Sequence, residues 1–319
     1  MGGVSSDGAR DPSGALERVL PEIGGIEAVE CLAALSGSDF TTVMLEVARR
    51  RAALQTPATL LRRYRSDRFV QPSSADWQRL RRVEDVLAAG LPAGFEVLTL
   101  SPLVPLGTHS VLGAISQDNV VTATRACEAA ADPTNALALE AAVRRLARRD
   151  VPARLAAVQR VVRAQQVVPG YLPHFSLLGL ATAGRDDGGH RFEREAVAEH
   201  VRAVAAGLAA AGFDAIQLAL TPLTPAGRTI ASAVGELLAA APLPALPLDV
   251  VIDDEREAGR GYYRELCFKV NVRDGAEWAE VGDGGFTDWT ARLTASSKER
   301  LLISGIGIDR VATLGSEIR

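Results

Sequence analysis

The sequence predicts an α/β protein of the α+β kind: a mixed or antiparallel sheet flanked by helices, preceded by a helical extension. Three observations predict it. Strand-like apolar runs at 119–124, 175–181, 215–220, 266–272 and 301–308 are separated by helical stretches, of which Pro133 to Arg148 and Arg191 to Ala211 are the clearest. Strands follow one another near the C-terminus without an intervening helix of crossover length, which disfavours regular βαβ repeats. Residues 15–65 are rich in helix formers, with Phe40, Val43, Met44, Val47 and Leu54 near helical spacing.

In chain order, the opening MGGVSSDGARDPSG is polar and reads as a loose tail without the apolar core of a secretory signal. Asp39 is the expected N-cap of the helix that follows. The basic segment RRYRSDRFVQPSS ends in a Pro/Ser turn, so a domain boundary is expected near residue 70, with 1–70 as the helical extension and 71–319 as the core. Asp76 to Ala89 reads as an amphipathic helix and Phe95 to Leu100 as a strand ending at Ser101-Pro102.

Composition narrows the function classes. The chain has 319 residues, 47% hydrophobic and 23% charged, with 35 basic against 39 acidic side chains and a net charge of −4. That balance supplies no global attraction to nucleic acid or to an anionic membrane. Cys31, Cys127 and Cys267 are far apart and suggest neither a disulfide framework nor paired zinc ligands, so a cytoplasmic location is expected. The most apolar stretch, 233–252, is broken by Glu236, Pro242, Pro244 and Pro247 and cannot be a membrane span. There is no Walker loop, no GxGxxG after a strand, no GxSxG and no HExxH, and His109, His174, His190 and His200 have no metal-ligand spacing.

Five segments, read in order, carry a more specific signal. GFEVLTLSP follows a helix and ends in Pro102. VVRAQQVVPGYLPHFSLLG sets Arg163 and Phe175 twelve residues apart, with Gly170 and Gly179 in step. GRGYYRELCF contains Arg260, Tyr262 and Tyr263. GDGGFTDW then precedes LLISGIGIDRV, in which a glycine-rich strand runs into a helix carrying Arg310. Together these resemble the catalytic core of class II aminoacyl-tRNA synthetases, and most closely the branch of histidyl-tRNA synthetase and the ATP phosphoribosyltransferase regulatory subunit, over residues 76–319.

The resemblance implies an antiparallel sheet flanked by helices, a homodimer through the first segment, and ATP with Mg²⁺ as cofactors. By it, Arg163 would hold the α-phosphate, Arg310 the γ-phosphate and adenine, and Arg260 the carboxylate and α-phosphate. Phe175 would stack on adenine, and Gln165 would stand where the family has Glu near the adenine amino group. The chemistry favours such residues: a bent polyphosphate needs its charge neutralised, and guanidinium groups fork onto phosphate oxygens without losing charge. Phe175, Tyr262 and Tyr263 could equally be core residues of a sheet, and the metal ligands stay open, with Asp283, Asp288 and Glu265 as candidates by position.

Three departures bear on the substrate pocket, which the resemblance would line with Thr134, Leu177, Ala181, Tyr262 and Tyr263. Thr134 stands where the family's ammonium-binding Glu would be, and Leu177 and Ala181 replace a Gln and a Glu facing the amino acid. A buried ammonium without acceptors loses several kcal/mol of compensation, so free histidine in the usual pose fits poorly. Asp132 and Asn135 are the polar neighbours able to substitute. The chain stops a few residues into the last helix, so no anticodon-binding domain is expected, and only about 40 residues separate Leu220 from Arg260, too few for the insertion domain. Binding of tRNA is therefore not expected, and the N-terminal arginines read as a solvated face. Two functions stay open: an adenylate-forming ligase for a small carboxylic or unusual amino acid, passing it to a carrier or small amine, and a non-catalytic regulatory paralogue that works through a protein partner.

Overall fold

The computed structural model describes residues 12–164, 173–240 and 246–314. The chain divides into two compact units. One comprises residues up to Arg62 with Ala123–Ala126, the other Arg63–Thr122 and the chain from Cys127 onward.

The first unit holds α1 (Pro12–Ile23), α2 (Ile26–Ala34) and α3 (Gly37–Ala53), while α4 (Pro57–Ser66) begins in it and ends in the second. Ser36, not Asp39, caps α3: its Oγ accepts the Asp39 backbone N–H at 3.2 Å, and Asp39 falls in the first turn, where its charge suits the helix dipole. None of α2, α3 and α4 carries a buried residue. Arg49 and Arg50 both pair with Glu46 on the surface of α3.

The second unit contains α5 (Trp77–Ala89), β1 (Glu96–Val97), β2 (Leu103–Pro105), α6 (Thr108–Gly113), β3 (Thr122–Ala123, shared with the first unit), β4 (Cys127–Ala129) and α7 (Pro133–Ala147). It continues with β5 (Ala153–Val162), β6 (His174–Arg185), α8 (Arg191–Ala210), β7 (Ile216–Pro222), α9 (Pro225–Ala240) and β8 (Leu248–Ile252). β9 (Arg264–Asp274), β10 (Glu277–Thr287), α10 (Trp289–Leu293), β11 (Glu299–Gly307) and α11 (Ile308–Leu314) complete it. Asp76 caps α5 through the N–H groups of Gln78 and Arg79. The strand expected at 119–124 is instead a 3-10 turn at Gln117–Asn119 followed by the two-residue β3, and that expected at 95–100 shortens to β1.

Eight strands form one sheet in the order β1-β5-β6-β11-β10-β9-β7-β8. Every neighbour pair is antiparallel except the two at the edges, β1 with β5 and β7 with β8. Alternation along each strand gives the sheet two unlike faces. One, with Ala156, Leu178, Leu180, Leu302, Phe268, Val270, Leu218 and Leu220, packs under α5, α8, α9 and α11 as the main core. The other presents Ala157, Ala181, Ile303 and Cys267 to a smaller cluster that includes Leu112 of α6, Leu137, Ala138 and Ala141 of α7, and Trp289. The remaining part of this second face, across β10, β9, β7 and β8, carries polar side chains.

Candidate functional site

The site begins where α7 meets the sheet. Asp132 caps the helix: its Oδ1 accepts the Thr134 N–H at 2.9 Å and the Thr134 hydroxyl at 2.7 Å, and Pro133 follows at the first helical position. Gly179 permits this approach, because a Cβ on it would stand 2.7 Å from Pro133 Cγ. At the end of β5, Arg163 donates from Nε to the Ala131 carbonyl at 2.9 Å and pairs through Nη2 with Asp132 Oδ2 at 3.2 Å. Its guanidinium lies over the Phe175 ring, 5.1 Å from the centroid. Two of the expected nucleotide-binding side chains are thus in contact.

Opposite them lies the aromatic pair. Tyr262 and Tyr263 meet edge to face at 4.8 Å, and Tyr262 meets Trp289 the same way at 5.4 Å. Gly285 makes room for Tyr263, whose Cδ1 would be 2.5 Å from a Cβ at that position. Burial pushes the Tyr262 hydroxyl well above its ordinary range, the charges of Asp132 and Asp283 add to this, and Arg163 and a hydrogen bond with Thr134 oppose it. Tyr263 donates its hydroxyl to Asp283 Oδ2 at 3.1 Å. Burial raises the Asp283 carboxyl against the opposing pull of Arg256, and the Asp132 charge raises it further. Asp132, Thr134, Arg163, Tyr262, Tyr263 and Asp283 therefore share one electrostatic neighbourhood.

Sequence reasoning missed Arg256. It pairs with Asp283 at 3.1 Å, donates from Nε to the Ala258 carbonyl at 2.8 Å, and has a side chain 4% exposed. Its Nη1 is buried and finds no partner among the described residues. Asp253 fixes the loop by accepting the N–H groups of Glu255 and Arg256. Arg260, on which the gapped signature falls, instead donates to the Arg256 carbonyl at 2.7 Å and the Asp254 carbonyl at 2.9 Å, so its guanidinium ties the loop together. The available signal was a second arginine four residues earlier in DEREAGRG.

The other expected residues are placed as follows. Arg310, near the start of α11, is exposed and reaches the Glu280 carbonyl at 3.4 Å. Next to it Asp309 accepts the Ser176 N–H at 2.7 Å, tying α11 to the start of β6. Leu177 is buried and Ala181 is fully buried in the cluster beneath α7. Gln165 and Gly170 lie outside the described residues. Asn135 is completely buried, and its amide has no partner among the described residues. Of the metal candidates, Asp288 pairs with Arg264 and Arg292, and Glu265 accepts the Thr224 hydroxyl. No group of three or more His, Cys, Asp or Glu is arranged to hold a metal ion among the described residues.

Arg163 within the cluster, and Arg310 apart from it at the Glu280 carbonyl, both remain partly open to solvent, and an anionic ligand could compete for either.

No protein-family model matches the chain, and no curated protein matches its sequence. Solved structures do match. The chain is similar to an ATP phosphoribosyltransferase regulatory subunit/histidyl-tRNA synthetase from Bacillus halodurans, at 14% identity and a TM-score of 0.55 over 77% of this chain and 83% of that one. Apo histidyl-tRNA synthetase from S. aureus matches at 13% and 0.57, over 76% and 67%. A histidine–tRNA ligase subunit from Alicyclobacillus acidocaldarius matches at 14% and 0.58, over 77% and 95%. At this level of identity the likeness is one of fold: an antiparallel sheet flanked by helices, of the class II synthetase kind, is common to the chain and these proteins.

Proposed function

We propose that the chain is an ATP-dependent, adenylate-forming ligase that activates a small carboxylic or unusual amino acid rather than decoding a tRNA. The observation that carries the reading is the meeting of Arg163, held over Phe175, with Asp132, Thr134, Tyr262, Tyr263 and Asp283 at one end of α7. ATP would be held by Arg163, Phe175 and Arg310, with Gln165 named by the sequence alone. Bound with Mg²⁺, it would supply an α-phosphorus open to attack by the substrate carboxylate, with pyrophosphate as the leaving group. The chain's own part is to neutralise charge and fix orientation, so no general base is required. Thr134 already donates to Asp132, while Leu177 and Ala181 are buried apolar side chains, which argues against histidine in the family's pose.

Pairing as a homodimer belongs to the same reading. Val97, Leu103 and Leu106 are exposed apolar side chains in and near the first matched segment, and Val143 and Leu146 are exposed on α7. A cytoplasmic setting is part of it too; no helix among the described residues is long and apolar enough to cross a membrane.

The alternative is a non-catalytic regulatory paralogue acting through a protein partner. Arg260 favours it, since its guanidinium is engaged with backbone carbonyls. Pyrophosphate exchange across a panel of carboxylic and amino acids separates the two. Exchange with even one acid supports the ligase, and ATP binding without exchange for any acid supports the regulatory role.

A further inference from the structure

On the polar part of the open sheet face, β7, β8, β9 and β10 border a solvent-open groove of about 660 Å³. That is within the roughly 300–1,000 Å³ range of small-molecule sites. Ala219, 5% exposed, gives the floor its depth, because its neighbours in register are the longer Lys269 and Val251. The floor is polar: Asn271 donates to Gln217 at 3.1 Å, and Gln217 donates to Asp249 at 2.8 Å. We propose that this groove binds a small organic amine in its cationic form.

Three features of the lining favour that class of ligand. The first is aromatic: Trp278 forms part of the wall, and a ligand cation would take the face of its ring not held by the Arg273 guanidinium, 4.5 Å from the centroid, or displace that guanidinium. The second is charge. Asp253, Asp254, Glu255 and Glu280 line the groove against the single cation Lys269. Lys269 is engaged with Glu280 at 2.9 Å and Asp254 with Arg228 at 2.6 Å, whereas Glu255 has no side-chain partner among the described residues. The third is the partition made by one loop. Residues 253–263 send Arg256 and Tyr263 toward Asp283, yet line the groove with carboxylates. An anionic ligand such as a nucleic acid is repelled at these positions.

The groove adjoins the candidate site on the same sheet face, because Lys269 lies opposite Asp283 in register. Occupancy needs no nucleotide, so the test stands apart from the ATP reading.

The test uses the full chain with spermidine and agmatine as probes, followed by calorimetry and by Trp278 fluorescence at low and high salt, with Trp278→Phe assigning the optical signal. Saturable binding is expected, weakened by salt and at least about tenfold weaker in Asp254→Asn/Glu255→Gln. Ala219→Leu, which fills the floor without changing charge, should abolish it. If that variant fails to fold by circular dichroism, the surface double variant decides alone. No saturable binding at millimolar probe overturns the proposal, as does binding that survives the charge-removing variant unchanged.

Discussion

His109 Nδ1 lies 2.6 Å from Glu128 Oε1, both side chains fully buried, while the same ring's Nε2 accepts the Ala131 N–H at 3.0 Å. The imidazole therefore links β4 to the turn from which Asp132 caps α7 and Arg163 takes its carbonyl partner. Burial works against charge on Glu128, but the N–H groups of His109 and Gly107, the Gln117 amide and the His109 ring hold its carboxyl below the ordinary range. Replacing His109 by Ala leaves that carboxylate and the Ala131 N–H short of a partner. A loss of about 1–3 kcal/mol is expected in denaturant unfolding, with the site more exposed to proteolysis.

A second histidine gives a pH signature. His200 is buried between the Thr182 hydroxyl at 2.9 Å and the Ser304 hydroxyl at 2.8 Å, and burial lowers its pKa to about 3. In the unfolded chain an ordinary histidine takes up a proton near pH 6.5, so between about 6.5 and 3 the unfolded state binds the extra proton. Stability conferred by the neutral ring is complete above that window and falls by roughly 1.4 kcal/mol per pH unit within it. His200→Gln should flatten this slope in unfolding curves between pH 6.5 and 4; an unchanged slope contradicts the assignment.

Much of the architecture follows from local chemistry that is readable in the sequence. α7 and α8 announce themselves by length and periodicity, β11 by an apolar run largely buried on both faces, and β7 and β9 by apolar residues interrupted by the groove-facing Gln217, Lys269 and Asn271. β5 and β10 are harder to read. Ala153–Val162 is rich in Ala and Arg, which favour helix in isolation, and Glu277–Thr287 carries three glycines that only the closeness of neighbouring strands explains. Within the candidate site, Arg163 and Phe175 stood out because they keep the twelve-residue separation of the segment they resemble. Arg256 was not, since a two-residue gap in the signature cannot say which of two arginines turns inward.

α7 is anchored at its other end by a buried ion pair. Arg145 and Glu299 meet through two contacts of 2.8 and 2.9 Å, with side chains 1% and 5% exposed. Arg145→Met leaves a carboxylate buried alone and should cost about 3–5 kcal/mol. Removing both charges, as Arg145→Met/Glu299→Leu, should restore most of that loss in thermal unfolding.

The contact between Asp132 and Arg163 predicts an opposite effect on ligand binding. On the ligase reading Arg163 must turn from Asp132 to a phosphate. Asp132→Asn keeps a competent helix cap but removes the charge that holds the guanidinium. Mg-ATP should bind about two- to fivefold more tightly, in keeping with a partly exposed pair of roughly 0.5–1 kcal/mol.

Titration of the full chain with Mg-ATP by calorimetry, in wild type and in Arg163→Ala and Arg310→Ala, tests the central claim most directly. One saturable site is expected in the wild type, weakened by at least about tenfold in each variant while circular dichroism shows both folded. Absence of binding at millimolar Mg-ATP, or affinity unchanged by either substitution, would contradict it.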